Sequence, residues 1–204
     1  MAKRWSEGAR ESARETIAAI LRLPFFIGLR DGTLPRGTFE NYLRRDAAYL
    51  VAYAQAMRQI ANRLTDENDR KLFMRFADEG VAAEQTMQAG YGIHGIETAD
   101  TPSTCARLIC TAAESRPLAV ALAAVLPCFH VYAELGRALR DDIQSSNPYA
   151  DWIRTYCAPG FASDAAACAA LCDRFAAQEE PARVAEMTRA FADGVAAERE
   201  FFSL

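Results

Sequence analysis

Histidine is nearly absent from this 204-residue chain, which carries only His94 and His130. A di-iron helical bundle needs Glu-x-x-His pairs on two helices, and neither histidine follows a glutamate by three. Haem ligation through an early histidine is excluded as well, because none precedes position 94. The six cysteines, at 105, 110, 128, 157, 168 and 172, form no CxxC pair. Cys168 and Cys172 stand four apart, but no further Cys or His spacing completes a zinc set. No Gly-rich phosphate loop is present. No run of about 18 apolar residues reads as a membrane span, and no signal-peptide core follows Met1 to Glu7. Basic excess is missing too: 23 Lys plus Arg against 27 Asp plus Glu give a net charge of −4, which argues against a dedicated nucleic-acid surface. The expectation is a cytoplasmic protein with reduced thiols, no metal, and no nucleic-acid or membrane partner.

What is present suits a folded, helical protein. Hydrophobic residues make up 51% of the chain and charged residues 25%, outside the range of intrinsic disorder. A single domain over residues 1–204 can bury roughly 70% of its unfolded surface without staples. Apolar residues recur at helical spacing, and no segment alternates with period two. The spacing predicts a first helix at about 6–22, closed before Pro24, and further helices at about 35–63, 66–90, from Thr101-Pro102 to Arg116, 117–143, 148–157, 161–178 and 181–203. Ser6 stands as the first N-cap and Thr65 or Asp66 as the third. The fold class is all-α, a bundle of about seven or eight helices.

Three places could carry chemistry. Leu126-Pro127-Cys128 puts a proline inside a helix at a cost of about 3 kcal/mol. Either Cys128 and Tyr132, one turn on, are core residues beside an accidental kink, or the kink presents a thiol to a cavity. Asp46, Tyr49 and Tyr53 share one apolar helix face. A carboxylate there must be paired or it protonates; it pairs with Arg44, Arg45 or another helix, or it reads an amidine-like ligand. Glu198 lies on the stripe Phe191, Val195, Glu198, Phe202, either reaching solvent at the edge or buried with a raised pKa for acid–base work. His130 is about 200° around its helix from Cys128 and reads as a packed or interface residue.

Taken in order, these segments resemble the TenA family, also called TenA/THI-4 proteins or thiaminase II. The likeness is carried by Pro24 to Pro35, by Phe39 to Leu50 as Phe-x-x-Tyr-x-x-x-Asp-x-x-Tyr-Leu, by Leu126 to Gly136, by Asn147 to Tyr156 and by Glu198 to Phe202. The resemblance implies a haem-oxygenase-like helical bundle, usually a homotetramer, with one pocket per subunit and no cofactor. It implies an aminopyrimidine aminohydrolase that converts 4-amino-5-aminomethyl-2-methylpyrimidine, and in many members thiamine, to the hydroxymethyl pyrimidine. Position by position, Cys128 is then the nucleophile and Glu198 the acid–base residue. Asp46 holds the pyrimidine amino group and ring nitrogen, while Tyr49, Tyr132 and Tyr156 stack on or hydrogen-bond the ring. Three positions depart from the family: Leu23 and Gln88 stand where histidines are common, and Cys105 where a pocket tyrosine is common. The alternatives are a non-catalytic pyrimidine-binding or regulatory protein, a hydrolase of a different aminopyrimidine, and an oxidative enzyme on the same bundle, which the shortage of histidine disfavours.

Overall fold

A computed structural model describes residues 3–92, 102–140, 144 and 146–203. Among them are nine helices and no strand: α1 (Trp5–Ile20), α2 (Pro24–Asp31), α3 (Arg36–Arg63), α4 (Glu67–Gly90), α5 (Thr104–Ser115), α6 (Leu118–Leu139), α7 (Ala150–Cys157), α8 (Pro159–Ala176) and α9 (Pro181–Phe202). The count exceeds the expected seven or eight because Pro24, read from sequence as a terminator, is instead the first residue of α2. Proline suits that place, where its missing N–H is one of the helix's unsatisfied donors anyway. Gly32, at φ 71°, ends α2 in the left-handed region.

Local signals set the other boundaries. The Asp66 carboxylate accepts from the Asn68 and Asp69 amides and starts α4. Ser103 Oγ accepts from the Ala106 amide and starts α5, two residues beyond the expected Thr101-Pro102 start. Ser6 is not a cap. Arg4 caps α1 through a reciprocal pairing with Glu7, and buried Ser6 instead donates its amide and hydroxyl to Asp173 at 2.7 and 2.8 Å, tying α1 to α8.

The centre of the bundle is α6, with 16 of its 22 residues buried. It packs most broadly on α9 and α8, then on α7 and α5, while α3 pairs with α4 and α5. By length and composition α6 is apolar enough to cross a membrane, contrary to the reading that no stretch is; here its apolar surface is mostly covered by the other helices. Two glycines allow its closest contacts. A Cβ at Gly136 would lie 2.1 Å from the Tyr156 carbonyl oxygen, so α7 docks on bare backbone. A Cβ at Gly194 would lie 2.6 Å from the Pro127 ring, so α9 passes α6 at that point only as glycine. The Asn147 amide donates to the Leu29 and Arg30 carbonyls at 3.0 and 2.9 Å, capping α2 and anchoring the approach to α7.

Candidate active site

One cavity of about 330 Å³ opens between α3, α4, α6, α7 and α8, a volume that suits a small organic ligand. From α3 it receives Asp46, Tyr49 and Tyr53, from α6 Cys128, Phe129 and Tyr132, and from the α7–α8 region Tyr156 and Phe161. Spacings of three and four along α3 and α6 place each set on one face. α6 runs on as helix through Pro127, and Cys128 is half-buried and lines the cavity.

The cavity is graded from polar and buried to open. At the inner end Asp46 is 2% exposed. The Tyr42 hydroxyl donates to its Oδ2 at 3.3 Å, and the same hydroxyl lies 3.3 Å from that of Tyr132. Of the sequence-expected partners, Arg44 lies 3.8 Å from Glu40 and Arg45 lies over the Phe201 ring. The Tyr49 hydroxyl and Cys128 Sγ are hydrogen-bonded at 2.5 Å. Tyr132 and Tyr156 pack ring to ring, with centroids 4.6 Å apart, and form one wall. At the outer end Glu79 and Asp164 line the mouth, both held by Arg75 at 2.6 and 2.7 Å.

Glu198 is placed differently. It is 2% exposed, which excludes the solvent-edge alternative, yet it is not among the residues that line the cavity. Burial alone pushes its carboxyl up to about 8. Its charge reaches Cys128, Tyr49 and Cys105, so it sits behind the thiol side of the cavity wall. Burial also holds the Cys128 thiol well above the usual range; an ionised Glu198 would raise it further, whereas the bond from Tyr49 works the other way. The resting pair is therefore a neutral thiol beside a carboxyl that is largely protonated at neutral pH. Tyr49, Tyr53 and Tyr132 are held as neutral phenols by burial.

The departing positions fall outside the cavity lining. Cys105 is buried on α5, Gln88 is buried on α4, and Leu23 precedes α2. His130 is buried against the Phe191 ring, 4.0 Å from Glu134, and burial lowers it to about 4; His94 lies outside the described residues. Among the described residues no three His, Cys, Asp or Glu side chains are grouped to hold a metal ion. Cys168 and Cys172 are both buried in the core.

The family model described as TENA/THI-4/PQQC matches residues 10–203. The chain belongs to the TENA/THI-4/PQQC family. Within that family it is 28% identical over 194 residues to the thiamine biosynthesis multifunctional protein ThiED of Corynebacterium glutamicum, covering 94% of this chain and 25% of that relative. The chain thus spans about a quarter of the length of that relative. It is 26% identical over 149 residues to an aminopyrimidine aminohydrolase of Halalkalibacterium halodurans, covering 68% of this chain and 66% of the other. A solved structure described as a TenA family transcription regulator from Silicibacter superposes with a TM-score of 0.87 at 22% identity, covering 98% and 95% of the two chains. The TENA/THI-4/PQQC chain accordingly has the helical haem-oxygenase-like fold.

Sequence reasoning singled out six of the cavity's polar residues, Asp46, Tyr49, Tyr53, Cys128, Tyr132 and Tyr156, and missed Glu79 and Asp164 in its lining and Tyr42 behind it. Tyr42 reads as one more core aromatic, and nothing in the sequence marks its bond to Asp46. The Arg75–Asp164 pair spans 89 positions, beyond the reach of any local pattern.

Proposed function

We propose that this chain is a hydrolase of thiamine salvage that converts 4-amino-5-aminomethyl-2-methylpyrimidine, and thiamine where the cavity admits it, to the hydroxymethyl pyrimidine. The observation that carries this reading is the meeting of Cys128, Tyr49, Asp46 and Tyr132 in one cavity with protonated Glu198 behind it. The names of the aminopyrimidine aminohydrolase and ThiED relatives agree with it.

The chemistry uses what the site holds. The Asp46 carboxylate accepts from the 4-amino group and a protonated ring nitrogen, orienting the pyrimidine between the aromatic walls. Cys128 adds across a ring C=N bond: sulfur bonds to carbon, the π pair goes to nitrogen, and Glu198 supplies the proton while the thiol proton returns to the carboxylate. The ring electrons then expel the amine from the 5-methylene, protonated as it leaves. Water adds to the exocyclic carbon, its proton is taken up, and loss of sulfur restores the aromatic ring and the thiol. No proton is left over, and nothing is oxidised. A single-domain cytoplasmic homotetramer is the assembly and setting we propose for it.

Ammonia release from the aminomethyl pyrimidine tests the reading, with Cys128→Ser as its partner measurement. The wild type should release ammonia, and the Ser variant should lose at least 10³-fold of that rate, about 4 kcal/mol, while still binding the pyrimidine in a thermal-shift assay. Normal turnover by the Ser variant refutes the covalent role. Ligand-induced stabilisation of the wild type without turnover points instead to a pyrimidine-binding protein.

A further inference from the structure

The cavity lies along a seam between two groups of helices. On one side α3 packs broadly on α4, and on the other α6 packs on α7 and α8. Among the described residues α3 meets α6 only narrowly, and α4 hardly meets α6 or α8 at all. One edge of the seam is covered by α5, which packs on both α3 and α6. The 2.5 Å hydrogen bond between Tyr49 and Cys128 crosses the seam, from α3 to α6. Whatever joins the two sides therefore also sets the distance between that phenol and that thiol.

At the mouth the seam is joined by charge. Arg75 on α4 donates to both carboxylate oxygens of Asp164 on α8, Nη2 to Oδ1 at 2.7 Å and Nη1 to Oδ2 at 3.2 Å. Its Nη1 also donates to Glu79 at 2.6 Å, one turn on along α4. Further along the same two helices Arg174 pairs with Asp69. The Arg75 head lies 5.2 Å over the Phe76 ring, and Phe76 packs on Phe129 across the seam with centroids 4.7 Å apart. Apolar contact is non-directional and tolerates sliding, whereas a fork of two parallel N–H···O bonds fixes distance and angle together.

We propose that Arg75 is a positioning residue: by pinning α4 to α8 through Asp164 it holds the seam closed at the mouth and keeps Tyr49 bonded to Cys128. The inference concerns access to the thiol and stands apart from the hydrolase reading. Glu79 steadies the guanidinium from its own helix, so the fork is set before Asp164 is met. A partly exposed pair is worth at most about 1 kcal/mol, so its loss should raise the open fraction about fivefold.

The test is labelling of Cys128 by N-ethylmaleimide, an uncharged reagent, read by peptide mass spectrometry. The rate is expressed relative to Cys110, a partly buried thiol on α5 outside the cavity, so that a general loosening of the fold cancels. Arg75→Met should raise the Cys128 to Cys110 ratio about fivefold. Removing a cation disfavours the thiolate, so charge alone would slow the reaction and cannot imitate this result. The exchanged pair Arg75→Asp/Asp164→Arg keeps the same charges at the mouth and should return the ratio toward that of the wild type. Raising sodium chloride from about 20 mM to about 1 M should increase the ratio in the wild type, and less so in Arg75→Met, because salt screens such pairs. A ratio unchanged in Arg75→Met, or as high in the exchanged pair as in the single variant, overturns the proposal. Should Arg75→Met fail to fold, the wild type decides, and a ratio independent of salt overturns it. Failure to release ammonia would sink the hydrolase reading and leave this result untouched.

Discussion

Glu198→Gln exposes the energetic consequence of keeping a carboxyl inside the bundle. The residue is 2% exposed, and burial raises its pKa from 4.5 to about 8. Between those two values the unfolded chain has released the proton and the folded chain has kept it, so the folded state binds more protons and stability must fall as pH rises. The loss accrues at about 1.4 kcal/mol per pH unit and reaches about 5 kcal/mol by pH 8, above which both states are ionised and it levels off. Glutamine fills nearly the same volume and does not titrate. The stability gained by the variant should thus be smallest at pH 4.5, grow steadily to pH 8, and stay constant beyond. Urea unfolding of both proteins at pH 4.5, 6.5 and 8.5 measures it directly, since the other titrating groups are common to both and cancel to first order. A difference that does not change with pH, or a variant less stable at pH 8.5, would refute the reasoning. The same substitution removes the proposed proton donor, so stability should rise while turnover falls, a trade common at functional sites.

Two further outcomes follow from the same geometry. The acid form of Glu198 is the proposed donor, so kcat/KM should fall as pH rises above about 8; a profile flat from pH 7 to 9.5 would remove Glu198 from that role. Gly136→Ala should lower stability by about 3 kcal/mol, because its Cβ would collide with the Tyr156 carbonyl; a melting point within 2 °C of wild type would show that α7 can move aside freely.

Legibility from sequence followed the range of the forces involved. Helical spacing put Asp46, Tyr49 and Tyr53 on one face, and all three line the cavity. Proline beside Cys128 left a core thiol and a cavity thiol open, and the apolar stripe of the last helix left Glu198 at the solvent edge or buried; the structure takes the second of each pair. Each of those signals lies within two turns of one helix. Failures came where the deciding partner is remote in the chain. Ser6 looked like a cap because its bond to Asp173, 167 positions away, cannot be seen locally. Pro24 looked like a stop because a helix of eight residues carries too little periodicity to announce itself. The apolar character of α6 was underrated because the glutamate and arginines near its C-terminal end interrupt the run without exposing its middle. The resemblance gave Glu198 an acid–base role without saying where it sits, and the structure buries it outside the cavity lining.

The contact between Pro127 and Gly194 has a consequence for how the two proposed reacting groups are placed in space. Pro127 directly precedes Cys128, and Gly194 lies one turn before Glu198 on the same face of α9. If α9 slid along α6 by one residue, Asp193 or Val195 would meet the proline ring where only a residue without a Cβ fits. The groove therefore acts as a phase lock. Thiol and carboxyl ride on separate helices, yet their relative register is set by a contact between two residues that carry no functional group at all.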